Sequence, residues 1–341
     1  IDLEVQKFAQ NLLKEKAGSI CVMDIYTGEI LAMASSPTYG PNKFTHGIAK
    51  TDWNEIKSNP LRPLINKSIA GLYSPGSTIK PLVALAALEY GTINPEKLIE
   101  CKGHKHPYEL YGQKYHCWKK NGHGFMKLRN ALKQSCDIYF YEVARLLGVD
   151  KLSVIAKKYG LGEKVLDDLF VDEKKGIVPS TKWKRQQLEQ SWYLGETIIT
   201  GIGQGYIQTS PLQLCLMTAQ LANGGYKIKP KMIFDEQTSL EKIISNIENN
   251  KIEKLYKNPN NIKFVLDAMF GSTNELYGTS FKSRHKNIKY QFAGKTGTSQ
   301  VKRISKRERE LDLKLEQIPY KDRDHALYVA YGPYKNPRYA L

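Results

Sequence analysis

The sequence has no apolar run near the roughly 20 residues that a helix needs to cross a bilayer. It also has no internal repeat, which disfavours a solenoid or a propeller. The glycine-rich stretch Gly201-Ile202-Gly203-Gln204-Gly205 lacks the GxGxxG spacing, the preceding strand and the acidic partner of a dinucleotide-binding turn. We therefore expect these glycines to serve packing or turn geometry.

The composition is that of an ordinary globular protein, with 41% hydrophobic and 25% charged residues. A chain of 341 residues can bury a sizeable core, as one large domain or two smaller ones.

Basic residues are in excess and give a net charge of +17, from 51 Lys and Arg against 34 Asp and Glu. Such a charge attracts nucleic acid, anionic lipid head groups or an acidic glycan. The charge run at residues 302 to 310 mixes both signs after Arg307 and has no interleaved aromatic residue for stacking on bases. We expect this run to be a solvated loop between two strands, and we expect no nucleic acid partner.

Hydrophobic periodicity predicts a mixture of helices and strands. Helices are predicted over residues 2–15, 128–135, 138–148, 151–159 and 259–270, and another from Ser210-Pro211 to Gly224-Gly225. Residues 19–25 and 30–35 predict a hairpin, and residues 326–331 predict a central strand that is apolar on both faces. Residues 37–71, rich in Pro, Asn and Gly, predict an irregular surface segment.

Ser77 and Lys80 lie at the predicted start of a helix, because Pro75-Gly76 breaks the preceding segment and residues 82–88 are apolar. Their spacing places them on one helix face. The free N–H of Ser77 and the helix dipole favour an anion there. A lysine with a lowered pKa could take the serine proton. Since SxxK is common by chance, an N-capped helix with a surface lysine is the alternative interpretation.

A second motif, Lys295-Thr296-Gly297-Thr298, follows an alternation of Ile288, Tyr290 and Phe292 that predicts an edge strand running into it. Gly294 and Gly297 leave room for a neighbouring backbone. Lys295 supplies a second cation. The backbone N–H of Thr298 could complete an oxyanion hole with that of Ser77.

A third motif, Ser135-Cys136-Asp137, lies between two predicted helices, where Asp137 can serve as an N-cap. In isolation a capping turn explains it. The three motifs together, in this order, are not plausibly accidental, and they indicate a serine nucleophile with one lysine as its base and a second lysine as a nearby cation.

The cysteines fall into two groups. Cys21 lies in a predicted strand and Cys215 in an apolar helix, so both are expected to be buried small hydrophobes. Cys101, Cys117 and Cys136 share a segment with His104, His106, His116 and His123.

Three thiolates and one imidazole suit tetrahedral zinc, and Cys101, Cys117, His123 and Cys136 would form a closed structural set. Their spacings of 16, 6 and 13 residues match no short zinc-finger pattern. A disulfide between Cys101 and Cys117, or free thiols, are the alternatives.

The combination of SxxK, SxD and KTG resembles the transpeptidase domain of bacterial penicillin-binding protein 2, a class B enzyme of cell elongation. An aspartate at position 137 fits that subfamily. Matching stretches run through nearly the whole chain, at residues 24–37, 72–81, 117–120, 201–206 and 324–326.

The resemblance implies an α+β fold, in which a five-stranded antiparallel sheet is flanked by helices on both faces and joined to an all-helical subdomain. Residues 1–341 would be a single transpeptidase domain containing the Cys/His-rich loop 101–136. A membrane anchor and a pedestal domain would lie outside these residues, and the last strand and C-terminal helix would be truncated after residues 338–341. Some members hold zinc beside the SxD motif, which implies ligands at Cys101, Cys117, His123 and Cys136.

The resemblance also implies a mechanism. Lys80, kept neutral by Lys295 and the helix dipole, would activate Ser77 to attack the D-alanyl-D-alanine end of a peptidoglycan stem peptide, without any cofactor for acyl transfer. Ser135, oriented by Asp137, would relay a proton to the leaving amine. The substrate carboxylate would be held by residues of the KTG motif, namely Lys295, Thr296, Gly297 and Thr298.

β-Lactams would acylate Ser77 to give a dead-end adduct. The enzyme would act on the periplasmic face of the inner membrane. Elongation-complex membrane proteins, including a glycosyltransferase, would be partners. A β-lactamase or D,D-carboxypeptidase is the first alternative, although the sequence lacks a class A type glutamate motif. A non-catalytic penicillin sensor or scaffold is the second.

Overall fold

The structure is a computed structural model that describes residues 1–14, 16–104, 106–166, 169–233, 239–302 and 315–341. Most of the charge run at 302–310 lies outside the described residues. The helices are α1 (Leu3–Leu12), α2 (Lys50–Ser58), α3 (Lys80–Glu89), α4 (Leu128–Lys133), α5 (Asp137–Leu147), α6 (Val149–Lys158), α7 (Thr181–Leu188), α8 (Leu194–Thr200), α9 (Pro211–Ala222), α10 (Leu240–Glu248) and α11 (Pro259–Asn274).

The main sheet has five antiparallel strands in the order β2-β1-β9-β8-β7. They are β1 (Gly18–Asp24), β2 (Ile30–Ser36), β7 (Ala293–Ser299), β8 (His325–Gly332) and β9 (Tyr339–Ala340). Two small pairs, β3 (Ile99–Cys101) with β6 (Gly124–Met126) and β4 (Tyr108–Leu110) with β5 (Gln113–Tyr115), lie in the Cys/His-rich segment. The expected α+β fold with a five-stranded sheet is confirmed.

Helices cover both faces of the sheet because its strands alternate apolar residues between two sides. On one face Ala9 and Leu13, at the end of the α1 segment, pack with Ala32 and Ala34 of β2. On the other face, α9 packs against β1, β8 and β9. The strand pairing also confirms two predictions: β1 and β2 form the hairpin, and β8 lies inside the sheet between β9 and β7.

The helical region is organised around α3, which packs against α4, α5, α6 and α11. Residues 80–87 of α3 are all buried. A helix that is apolar on every side is stable only when other elements surround it, as they do here. Among the described residues, none of the helices combines the length and apolarity that a membrane crossing requires.

Two expectations about local structure were wrong. Residues 37–71 contain α2, none of whose residues is buried, so no apolar periodicity marks it in the sequence. The alternation of Ile288 and Tyr290 belongs to a 3-10 turn capped by the side chain of Asn287, with Ile288 62% exposed. The strand begins at Ala293, so the KTG motif lies on the edge strand itself.

Candidate active site

Ser77 lies in a 3-10 turn, Gly76–Ile79, that leads directly into α3. The Thr78 hydroxyl donates to the Pro75 carbonyl at 2.6 Å and closes the turn. Ser77 is half-buried, whereas Lys80 is fully buried at the first position of the helix. The predicted placement of Ser77 and Lys80 at a helix start is confirmed.

The Lys80 amine is directed toward the Ser135-Cys136-Asp137 motif. Its Nζ donates to Asp137 Oδ1 at 2.7 Å, to the Ser135 carbonyl at 3.0 Å and to Ser135 Oγ at 3.3 Å. Burial raises the pKa of the Asp137 carboxyl, and the neighbouring Lys80 opposes that rise. Ser135 and Asp137 lie 55 and 57 positions after Lys80 in the sequence, and the three residues form one buried polar cluster.

Lys295 approaches the same serine from the sheet. Its Nζ donates to Ser135 Oγ and to the Thr296 carbonyl, both at 2.8 Å. Burial, and after it the charge of Lys80, hold the pKa of Lys295 well below its usual value. The Ser135 hydroxyl thus lies between two lysine amines. The sequence analysis assigned no acidic partner to either lysine, but in the structure Asp137 pairs with Lys80.

Asp137 has a different role from the predicted N-cap. Cys136 is the N-cap of α5 and Asp137 is the first helical residue. Its carboxylate is already occupied, since Oδ1 accepts from Lys80 and Oδ2 accepts from the backbone N–H of Trp118 at 2.9 Å. The expectation that Asp137 orients Ser135 stays a prediction; the carboxylate contacts Lys80, which in turn contacts Ser135 Oγ.

Ser135 has a left-handed backbone, with φ of +56°. A non-glycine residue in this region is strained, and such strain persists where surrounding contacts hold it. Here the Ser135 carbonyl accepts from both Lys80 Nζ and Trp118 Nε1, each at 3.0 Å. These bonds fix the orientation of the hydroxyl that faces the two amines.

Three glycines allow the Ser77 turn to touch its neighbours. A β-carbon on Gly76 would lie 2.3 Å from the Thr298 carbonyl oxygen, and one on Gly297 would lie 3.0 Å from the Thr78 nitrogen. A β-carbon on Gly203 would lie 2.1 Å from the Gly76 carbonyl oxygen, and the Gly76 N–H donates to the Gly203 carbonyl at 2.8 Å. The packing role predicted for Gly203 and Gly297 is confirmed.

The residues predicted to bind substrate lie on β7 beside this turn. Thr298 is exposed and Thr296 is half-buried, with Thr296 Oγ1 donating to Thr279 Oγ1 at 2.8 Å. The Thr298 carbonyl accepts from Gln204 Nε2 at 2.8 Å.

Sequence reasoning missed three supporting residues. Gln204 lies inside the glycine-rich stretch, so the tight turn there was a usable signal. Trp118 directly follows a candidate metal ligand. Thr279 has no local signal, because it lies outside every motif and contacts Thr296 from 17 positions earlier in the chain.

The four predicted metal ligands are brought together beside this site. The Sγ atoms of Cys101, Cys117 and Cys136 and a ring nitrogen of His123 all lie within 4.8 Å of one another. The Nδ1 of His123 is 3.5 Å from Cys101 Sγ and 3.6 Å from Cys117 Sγ. Tetrahedral zinc with thiolate bonds of about 2.3 Å places its ligand atoms roughly 3.8 Å apart, so the donor set and its dimensions fit that ion.

The thiols of this cluster are free, as are Cys21 and Cys215, and the alternative Cys101–Cys117 disulfide is not formed. Hydrogen bonds with Cys117 and Cys136 lower the pKa of Cys101 to about 3, whereas hydrogen bonds with Cys101 and Cys117, and after them burial, raise the pKa of Cys136. The cluster therefore favours a thiolate, which is the form that binds a metal. Of the other histidines, His104 instead contacts the Cys117 carbonyl through Nε2 at 2.6 Å.

Known proteins resemble this chain over its whole length. A peptidoglycan D,D-transpeptidase MrdA of Salmonella typhimurium (strain SL1344) is 34% identical over 343 residues, covering 100% of this chain and 54% of that protein. The protein of the same name from Escherichia coli (strain K12) is 33% identical over 352 residues, covering 100% and 53%. The chain spans about half the length of the curated relatives it matches.

Solved structures agree. Pseudomonas aeruginosa PBP2 in complex with WCK 5153 superposes with a TM-score of 0.82 at 36% identity, covering 99% of this chain and 71% of that one. Helicobacter pylori PBP2, in its complex with MreC, gives a TM-score of 0.84 at 31% identity, covering 99% and 57%. The family model of the penicillin-binding protein transpeptidase domain matches residues 18–341. With this match and these relatives, the chain belongs to the family of penicillin-binding protein transpeptidase domains.

Proposed function

We propose that residues 1–341 form a single D,D-transpeptidase domain that cross-links peptidoglycan stem peptides through an acyl-enzyme on Ser77. The observation that carries the proposal is the position of the Ser135 hydroxyl between the amines of Lys80 and Lys295. The turn bearing Ser77 joins this arrangement through its contact with Thr298 on β7. The names of the relatives, peptidoglycan D,D-transpeptidases, support the same reaction.

Acylation needs a base for the Ser77 proton, and Lys80 is the candidate. Lys80 Nζ contacts Ser135 Oγ at 3.3 Å, and Ser135 Oγ contacts Lys295 Nζ at 2.8 Å. A proton can therefore pass from Lys80 through the Ser135 hydroxyl to Lys295, because the lowered pKa of Lys295 keeps its amine unprotonated and so leaves a lone pair to accept it. Lys80 then takes the Ser77 proton as Ser77 Oγ attacks the carbonyl between two terminal D-alanines.

The tetrahedral oxyanion is stabilised by the backbone N–H groups of Ser77 and Thr298. Ser135 delivers its proton to the departing D-alanine amine and takes one back from Lys295, so the proton given to the amine balances the one taken from Ser77. Lys295, Thr296, Gly297 and Thr298 receive the substrate carboxylate, a charge-assisted contact. An amine from a neighbouring stem attacks the acyl-enzyme, forms the cross-link and releases Ser77.

Labelling with a fluorescent penicillin tests the nucleophile. The parent protein should form a covalent adduct, located at Ser77 by peptide mass spectrometry, and Ser77→Ala should form none. Ser74→Ala is the matched control, since it removes a half-buried hydroxyl from the same connection before α3 and should still be labelled. Persistent labelling of Ser77→Ala would remove the proposed nucleophile.

A second experiment distinguishes acyl transfer to an amine from hydrolysis of the acyl-enzyme and from binding without turnover. Incubation with a donor stem peptide and an acceptor amine should give a cross-linked product together with free D-alanine. Release of D-alanine without cross-linking would favour a carboxypeptidase. Rapid release of the penicilloyl group would favour a β-lactamase, and an adduct that never reaches an acceptor would favour a sensor or scaffold.

The second part of the proposal is that Cys101, Cys117, His123 and Cys136 hold a structural zinc ion. Zinc would tie the Cys/His-rich loop to the start of α5, and acyl transfer itself needs no cofactor. Metal analysis of purified protein should give about one zinc per chain. Cys117→Ser should lose it, whereas Cys215→Ser, which changes a buried cysteine outside the cluster, should keep it.

We also propose that the complete protein carries a membrane anchor and a pedestal and acts on the periplasmic face of the bacterial inner membrane. Support comes from the relatives, which are about twice as long as this chain. The Helicobacter pylori relative was solved with MreC, which supports assembly of the full-length protein with a partner of that kind. Other elongation-complex membrane proteins, including a glycosyltransferase, are proposed as partners on the family resemblance alone. Fractionation and co-purification of the full-length protein test these two statements.

A further inference from the structure

Trp118 connects the cysteine cluster to the catalytic residues. Its backbone N–H donates to Asp137 Oδ2 at 2.9 Å, and its indole Nε1–H donates to the Ser135 carbonyl at 3.0 Å. Two donors of one residue therefore reach two members of the Ser135-Cys136-Asp137 motif. Each accepting group also contacts Lys80, at 2.7 Å for Asp137 Oδ1 and 3.0 Å for the Ser135 carbonyl.

Core packing does not account for this side chain, because Trp118 is 56% exposed. Its ring meets His123 edge to face, with centroids 5.5 Å apart, and the rest of the indole remains accessible. A buried tryptophan would be retained for its apolar area, whereas here the directed N–H is the specific contribution.

The backbone conformation of Ser135 explains why the indole N–H donor of Trp118 is useful. A φ of +56° is unfavourable for serine, so the peptide relaxes unless its neighbours hold it. Lys80 is a mobile proton carrier in the proposed reaction, and its bond to the Ser135 carbonyl can change during turnover. The indole N–H carries no transferable proton, so its bond persists through that change.

We propose that Trp118 is a positioning residue, whose indole N–H holds the Ser135 carbonyl and so keeps the Ser135 hydroxyl aligned between Lys80 and Lys295. This inference rests on the proposed acyl-transfer function. It assigns a specific role to the exposed Trp118 side chain beside the cysteine cluster.

The test compares two replacements of Trp118. Trp118→Phe keeps an aromatic ring and the backbone N–H, and it loses the indole donor together with one of the two fused rings. The isosteric replacement by β-(3-benzothienyl)alanine keeps the bicyclic shape and exchanges N–H for sulfur, so it remains informative if Trp118→Phe folds poorly. Trp192→Phe is the matched control, because it removes an indole bond of 2.7 Å to Thr197 Oγ1 instead.

Two readouts separate the outcomes. With a fluorescent penicillin, both Trp118 variants should lower the acylation rate constant about three- to tenfold, the effect of one lost hydrogen bond, without weakening the initial non-covalent complex. Trp192→Phe should leave that rate constant unchanged. Amide hydrogen exchange at Ser135 and Cys136, whose N–H groups donate to Leu132 and Ala131, should accelerate in the Trp118 variants alone.

Unchanged exchange and an unchanged rate constant in both Trp118 variants would overturn the inference. A fall in thermal stability with no change in the rate constant would also overturn it, since that is a purely structural role. If the parent protein is not acylated, the proposed function fails instead, and exchange at Ser135 and Cys136 then decides alone whether Trp118 holds this peptide.

Discussion

Gly76 and Thr298 are in direct backbone contact, since a β-carbon on Gly76 would lie 2.3 Å from the Thr298 carbonyl oxygen. This contact sets the distance between the turn that bears Ser77 and the strand that bears Lys295. Residues separated by more than 200 positions thereby share one site, and the contact can be tested by adding a single methyl group.

Gly76→Ala should lower the free energy of unfolding by at least about 3 kcal/mol, because both the φ of +52° and the contact with Thr298 oppose a side chain. Gly91→Ala provides the control. Its φ is +61°, yet no atom lies within 4 Å of an added β-carbon. It should cost only about 1 kcal/mol, the backbone term alone. Urea unfolding of both variants measures the difference, and equal costs would refute the contact.

Two replacements of Ser135 separate its hydroxyl from its backbone. Ser135→Ala and Ser135→Gly both remove the hydroxyl between Lys80 and Lys295, so both should slow penicillin acylation by roughly 10²-fold. Glycine also relieves the strain of the left-handed φ. Ser135→Gly should therefore be more stable than Ser135→Ala by about 1 kcal/mol. Unfolding and acylation measured on the same samples check this, and a less stable glycine variant would contradict it.

The lowered pKa of Lys295 predicts how stability depends on pH. Between its folded pKa and the ordinary lysine value of about 10.4, the unfolded chain binds a proton that the folded chain does not. Stability relative to Lys295→Met should therefore rise with pH in this window, by up to about 1.4 kcal/mol per unit. Urea unfolding from pH 7 to pH 10 measures it. Lys289→Met removes an exposed charge as a control, and a difference that falls with pH would exclude a buried lysine of this kind.

Removal of the proposed zinc should destabilise the Cys/His-rich loop. A strong chelator should lower the Tm of the parent protein by roughly 5 °C or more and slow acylation, because metal binding stabilises the folded state. The Tm of Cys117→Ser should already be lowered and should not respond further. If the Tm of the parent protein changes with neither chelator nor added zinc, the proposed zinc site is rejected.

Sequence reasoning succeeded where the signal is local or motif-based. The hairpin of β1 and β2, the start of α9 at Ser210-Pro211 and the burial of α3 all follow from patterns of a few adjacent residues. It failed for α2, whose residues contact no core, and for Ile288, whose alternation with Tyr290 is satisfied by a surface turn.

The partners within the site were harder to predict. The motifs named Ser135, Asp137 and both lysines, but the pairing of Asp137 with Lys80 depends on how α3 and α5 pack. Nothing in a linear pattern fixes that distance. The convergence of Cys101, Cys117, His123 and Cys136 was implied by family resemblance, since their irregular spacings encode no geometry that a short pattern could supply.

The enclosure of α3 has one more consequence. Because other elements pack against every side of this helix, the proposed nucleophile Ser77, in the turn that leads into it, has little freedom to adjust to an incoming peptide. In the reaction proposed above, tolerance for different acceptors would come from exposed loops at the rim of the site, and substitutions that alter β-lactam acylation should map to those loops sooner than to α3.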